Sequence, residues 1–143
     1  MNTFLPYRSF EESARALDNK RLGKQRVEVL QLLKAILDPE AKGWRNHPCS
    51  VMWRNNENGL ILYGVAICHE WTSRGFADTC HEKILAWAPK ARGGDPTWLG
   101  DESFHASHRA NLIRKDPEYY RSHGWTDDET IELIWPPSDE PTS

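Results

Sequence analysis

The chain has 143 residues, 38% apolar and 27% charged, with a formal net charge of −3. That length suits one domain with a real core, and no apolar run approaches the roughly 20 residues that a membrane span requires. Cys49, Cys68 and Cys80 are an odd number without CxxC spacing, and the first ten residues carry no apolar signal core, so reduced thiols in a cytoplasmic protein are expected.

The net charge hides an asymmetry. Residues 1–47 carry nine Lys/Arg against six Asp/Glu, whereas residues 125–143 carry six acids and no base. Between them, residues 48–100 balance at five and five and residues 101–124 at four and four. A polyanion responds to a local positive surface, so weak overall acidity does not exclude nucleic acid as a partner.

In chain order, Met1 to Tyr7 is an apolar lead-in broken at Pro6. Ser9 with Glu12 three residues on is a capping-box arrangement, which predicts a short helix from Phe10 to about Leu17. Leu22, Val29, Leu30, Leu33 and Ile36 recur at helical spacing, which predicts an amphipathic helix up to Leu37, continuous with the first or kinked near Gly23. Asp38-Pro39 ends it, because a residue before proline disfavours helical dihedrals. Lys42 to Pro48 reads as a loop, with Pro48 in the first turn of a short helix carrying Val51, Met52 and Trp53.

Gly59 to Ser73 is the most apolar stretch and its length favours a buried helix, closed at Arg74-Gly75. Asp78 or Thr79 caps a helix to about Trp87, and Pro89 to Gly100 is a loop. Asp101 caps a helix to about Arg114, and Asp116-Pro117 opens a last short one. Trp125 to Trp135 carries no clear periodicity. With no strand pair, the expected architecture is all-α. A compact single-domain bundle of about five to six helices spans residues 1–136, with a flexible acidic, proline-rich tail at 137–143.

The chemical signals are uneven. Walker loops, GxGxxG and GxSxG are missing from the sequence. Six histidines lack the spacings that zinc sites use, so neither a metal nor another cofactor is expected. His105, His108, Arg109, Arg114 and Lys115 sit at helical offsets and read either as a cationic face for phosphates or as an ordinary amphipathic surface. On the long basic helix, Arg21, Lys24, Gln25 and Glu28 fall three and four residues apart and are surface neighbours. By itself this is a solvated face with a weak Lys24–Glu28 pair. The seven Trp are core residues or, beside basic groups, platforms for unpaired bases.

GWRNHP (Gly43 to Pro48), followed by Val51, Met52 and Trp53, resembles a signature of the pyrimidine-dimer DNA glycosylase family, also called endonuclease V. The basic helix resembles the same family through Asp18, Leu22 and Glu28, and LIRKDPEYY (Leu112 to Tyr120) looks like its late basic-Asp-Pro…Tyr segment. The three pieces agree in order and approximate spacing over about 110 residues, closest to a diverged bacterial or viral branch with its own RLGKQRVE motif.

The resemblance implies a compact all-α DNA N-glycosylase and abasic-site lyase without a metal, acting on damaged or modified double-stranded DNA; a monomer is the default expectation for the chain. In that family the α-amine of the mature chain attacks the sugar C1′ and leaves a Schiff base, and a glutamate drives β-elimination. An α-amine titrates near ~8, so part of it is neutral and nucleophilic at working pH. Glu28 matches the glutamate. Met1 or Asn2 supplies the amine, since the size of Asn2 makes removal of Met1 inefficient, with Lys20 or Lys24 as substitute nucleophiles. The implied DNA contacts are Arg21, Lys24 and Arg26 on the helix, Arg45, Asn46 and His47 in the loop, and His108, Arg109 and Lys115 in the late segment. Two other readings stay open: an enzyme of this fold without the lyase step, and a non-catalytic DNA-binding accessory protein.

Overall fold

Leu17 and Asp18 are extended, and this short break separates the first two helices. In the computed structural model, which describes residues 1–141, α1 covers Phe10–Ala16 and α2 covers Asn19–Leu37. Ser9 accepts the Glu12 N–H and Asp18 accepts the Arg21 N–H, so both helix starts are capped by side chains. Helix α2 runs unbroken through Gly23, where a Cβ would approach the Trp71 ring to 2.9 Å. Glycine there allows close helix packing instead of a kink.

The remaining helices are α3 (Pro48–Trp53), α4 (Glu57–Ser73), α5 (Cys80–Leu85), α6 (Glu102–Lys115) and α7 (Pro117–Arg121), with one 3-10 turn at Ala88–Lys90. Among the described residues the fold is all-helical, with seven α-helices where five to six are expected. The expected helix to Trp87 stops at Leu85 and passes into the 3-10 turn. No helix of the described residues is long and apolar enough to cross a membrane.

Helix α4 packs against α1, α2 and α5, and this three-sided contact explains why it is apolar nearly all round. Trp53, Tyr63, Trp98 and Phe104 form an aromatic seam through the core, with Trp53 edge-on to Trp98 at 5.0 Å.

The lead-in segment does more than the sequence suggests. Asn2 to Pro6 is buried, yet it lies in no helix or sheet. Its backbone groups are satisfied by side chains, as burial demands. Phe4 N–H donates to Gln25 Oε1 at 2.9 Å, Leu5 N–H donates to His108 Nδ1 at 3.0 Å, and the Leu5 carbonyl lies 2.8 Å from His105 Nδ1. Side chains from α2 and α6 thus clamp the N-terminus in place.

The segment expected as a tail makes contacts as well. Ser138 donates to the Val51 carbonyl at 2.7 Å, and Asp139 accepts from Asn56 Nδ2 at 2.7 Å and from Thr97 N–H at 2.8 Å. Its last two residues lie outside the described ones.

Candidate functional site

Gln25 and Glu28 lie one helical turn apart on the α2 face that meets the N-terminal segment. Glu28 is 7% exposed. Its Oε2 accepts from the Asn2 backbone nitrogen at 3.2 Å and from Gln25 Nε2 at 2.9 Å, while Lys24 Nζ stands 3.6 Å from Oε1. Gln25 is the organising side chain. Its Nε2 also donates to the Asn2 carbonyl at 2.8 Å, and its Oε1 accepts from Phe4 N–H and, at 2.6 Å, from the Tyr63 hydroxyl. The amide is therefore fixed in one orientation by four partners, and it holds the carboxylate and the N-terminus together.

Glu28 opens onto a cavity of 380 Å³ walled by Met1, Asn2, Phe4, Lys20, Arg21, Lys24, Gln25, Asn111, Lys115, Leu133 and Trp135. Four cationic side chains surround it, a suitable rim for phosphates. Arg21 is anchored by Asp18 at 3.1 Å. Burial alone would push the Asp18 carboxyl up, but hydrogen bonds from Tyr120 and Arg21 hold it below its usual range. The Tyr120 hydroxyl donates to Asp18 and accepts its N–H, so the aromatic of the late segment braces the start of α2.

The GWRNHP loop borders the N-terminus. His47 caps α3, its Nδ1 accepting the Cys49 N–H at 3.0 Å, and its ring meets Trp44 and Trp135 edge-on at 5.5 and 5.8 Å. Burial and then the nearby α-amine lower the His47 pKa. Arg45 is turned inward onto the Asp38 carbonyl at 2.6 Å, while Asn46 is exposed. Trp44 adopts a left-handed φ of 65° and is 55% exposed.

Several expected DNA contacts are engaged elsewhere. Arg26 pairs with Asp78 at 2.6 Å and stacks on Trp71 at 4.5 Å, so it ties α2 to the start of α5 instead of facing the cavity. His108 is fully buried, and burial takes its pKa down to about 3, so it stays neutral and cannot hold a phosphate. Arg109 is bound by Asp127, Glu102 and the Pro6 carbonyl. Arg114 donates to the carbonyls of Glu129 and Ile131. The expected cationic face of α6 is mostly structural, and Lys115 alone of its basic residues lines the cavity.

Conversely, Asn111, Leu133 and Trp135 line the cavity without having been singled out, and Gln25 was expected only as a surface neighbour of Glu28. Gln25 carried a signal, being three residues before Glu28 on the same face. Asn111 sits between His108 and Lys115 at helical offsets, but an uncharged amide there has no motif. Leu133 and Trp135 lie on an irregular strand of backbone that no periodicity marks. Among the described residues, no three His, Cys, Asp or Glu side chains converge as a metal site would require.

A family model described as pyrimidine dimer DNA glycosylase matches residues 1–83. No curated protein and no solved structure matches the chain. The matched span holds the N-terminus, Glu28 and the GWRNHP loop, but not the α6 wall of the cavity.

Proposed function

Because the chain belongs to the pyrimidine dimer DNA glycosylase family, we propose that it removes a damaged or modified pyrimidine from double-stranded DNA and then cleaves the abasic site as a lyase. The chain's α-amine is the nucleophile and Glu28 the acid/base.

One observation carries this reading: a backbone nitrogen of the N-terminus lies 3.2 Å from the Glu28 carboxylate at the wall of a cation-rimmed cavity. In the chain with Met1 in place that nitrogen is an amide and only donates to Glu28. Once Met1 is removed it becomes the Asn2 α-amine, at the same distance from the carboxylate. While Met1 remains, its own amine lies at the same cavity. The Asn2 amine would stand beside Glu28, which can take up its proton for attack.

The neutral amine forms a bond to C1′ as the glycosidic bond breaks, and the departing base takes up a proton. A proton passes from the attached nitrogen to O4′ as the sugar ring opens, which gives a protonated Schiff base and a free 4′ hydroxyl. Glu28 then removes a C2′ proton, and the electrons of that bond expel the 3′ phosphate. Before this, the same carboxylate stabilises positive charge growing on the sugar. Lys20, Arg21, Lys24 and Lys115 hold flanking phosphates, in keeping with their position around the cavity. The protein acts as a monomer in this scheme.

Borohydride trapping on a duplex carrying a thymine dimer tests the proposal. A covalent protein–DNA adduct, absent in Glu28→Gln, is the expected result. Cleavage of the glycosidic bond without an adduct would leave a glycosylase without the lyase step. Binding without any product, unaffected by Glu28→Gln, would leave only an accessory DNA-binding role.

A further inference from the structure

Trp44 of the GWRNHP loop is 55% exposed and packs into no part of the core. Its backbone is also held in an unfavourable conformation. Two non-glycine residues among the described ones have a left-handed φ, Asn55 at 74° and Trp44 at 65°. Asparagine tolerates that region, but for a bulky aromatic it is a genuine outlier. The Trp44 carbonyl accepts the Ser50 hydroxyl at 2.7 Å and the His47 N–H at 3.0 Å, so the strained turn is locked. A strained residue that is locked in place and faces solvent points to a role outside the fold.

Its position narrows that role. The Trp44 ring meets His47 edge-on at 5.5 Å, and His47 meets Trp135 at 5.8 Å. Trp135 walls the cavity that Glu28 opens onto, so the three rings form a row leading away from it. Consecutive bases on one strand are about 3.4 Å apart, so the row ends within about three base steps of the cavity wall. On its other side Trp44 borders a groove where Lys34 and Lys42 are offset by Asp38 and Glu40. The cationic excess lies at the cavity, with Lys20, Arg21, Lys24 and Lys115 against Glu28. A phosphate backbone is drawn to that side, which brings bases over the exposed indole.

Resting on the glycosylase reading above, we propose that Trp44 is a wedge. Its indole enters the base stack next to the cavity and holds the duplex kinked while the reacting nucleotide is seated there. Apolar side chains open base steps in this way, and a base stacks on an aromatic ring whatever its sequence. Trp44 is a positioning residue, since it does not itself line the cavity. The locked backbone matters because a loop that yielded could not keep the step open.

Photocrosslinking reads the contact without needing catalysis. Iodouracil, which couples on illumination to an aromatic ring stacked on it, is placed at each position within about three steps of an uncleavable abasic site in a duplex. Mass analysis should find the crosslink on Trp44. In a second measurement, Trp44→Ala should lower kcat/KM for glycosidic-bond cleavage at a dimer in duplex, relative to the same dimer in a single strand. The expected fall in that ratio is about 5- to 100-fold, the usual loss of one stacked base. Trp44→Phe should recover most of it, because the smaller ring still stacks. Crosslinks confined to other residues, or an equal change on duplex and single strand, would overturn the wedge. Wild-type protein that crosslinks through Trp44 yet cleaves no glycosidic bond in dimer DNA would refute the glycosylase reading and leave the wedge standing.

Discussion

Glu28 and Glu57 are both buried carboxylates on helices, and their surroundings separate the proposed acid/base from a structural group. Glu57 is 0% exposed and is held on both oxygens by Arg92, at 2.9 and 3.1 Å, with the Arg92 N–H adding a third contact at 3.1 Å. It opens onto none of the cavities that surround the N-terminus. In Glu28 the close partners are two neutral donors on one oxygen, and the other oxygen faces Lys24, whose side chain is 74% exposed and free to move. Burial by itself therefore says little about function. Neutral positioning groups, one uncommitted oxygen and an adjoining cavity make a carboxylate available for proton transfer.

The sharpest way to break this comparison is to change each carboxylate to its amide. Glu28→Gln should lower the rate of glycosidic-bond cleavage by about 100-fold or more, the usual loss of a general acid/base. The fold should hold, because the glutamine oxygen can still accept the Asn2 N–H. Gln25→Leu comes next. It strips hydrogen bonds from Phe4, Asn2, Tyr63 and Glu28 at once, and should cost about 2–4 kcal/mol in denaturant unfolding as well as activity. Glu57→Gln should cost about 1–3 kcal/mol, limited because the half-exposed Arg92 can turn to water. Its activity per folded molecule should match wild type. Activity loss in Glu57→Gln with Glu28→Gln still active would invert the assignment.

Smaller effects sharpen the picture of α6. Burial lowers the His108 pKa from 6.5 to about 3, and His105 is lowered as well, first by burial. The unfolded chain therefore binds more protons at these sites below pH 6.5. Stability is complete above that pH and declines as pH falls towards 3, by up to about 1.4 kcal/mol per unit for His108 alone. His108→Gln should flatten that slope in urea melts at several pH values. Smallest of all, Lys115→Ala should reduce the salt dependence of DNA binding by about one phosphate contact, whereas Arg26→Ala should leave it unchanged and act on stability. A slope altered by Arg26→Ala would return that residue to the DNA surface.

The helices were legible because their signals are local. Ser9, Asp101 and Asp116 cap as their sequence contexts predict, and the apolar spacing of α2 and α4 marks which faces are buried. The break at Leu17–Asp18 was not legible, since no glycine or proline marks it and the packing of Trp71 on Gly23 decides where α2 stays straight. Motif resemblance pointed to Glu28, the N-terminus and the GWRNHP loop. It misled for Arg26, His108 and Arg109, because a basic residue looks the same in sequence whether it meets DNA or a buried carboxylate. The Asp78, Asp127 and Leu5 partners that decide the matter are brought in by tertiary structure. Trp135 reaches His47 across the fold for the same reason, and no local pattern announces it.

The central claim is that the α-amine beside Glu28 is the nucleophile. Mass analysis of the borohydride-trapped peptide, together with the intact N-terminal mass of the free protein, tests it most directly. The account predicts one reduced sugar adduct, on the α-nitrogen of Met1 or, if Met1 is removed, of Asn2. An adduct on Lys20 or Lys24 instead would contradict it.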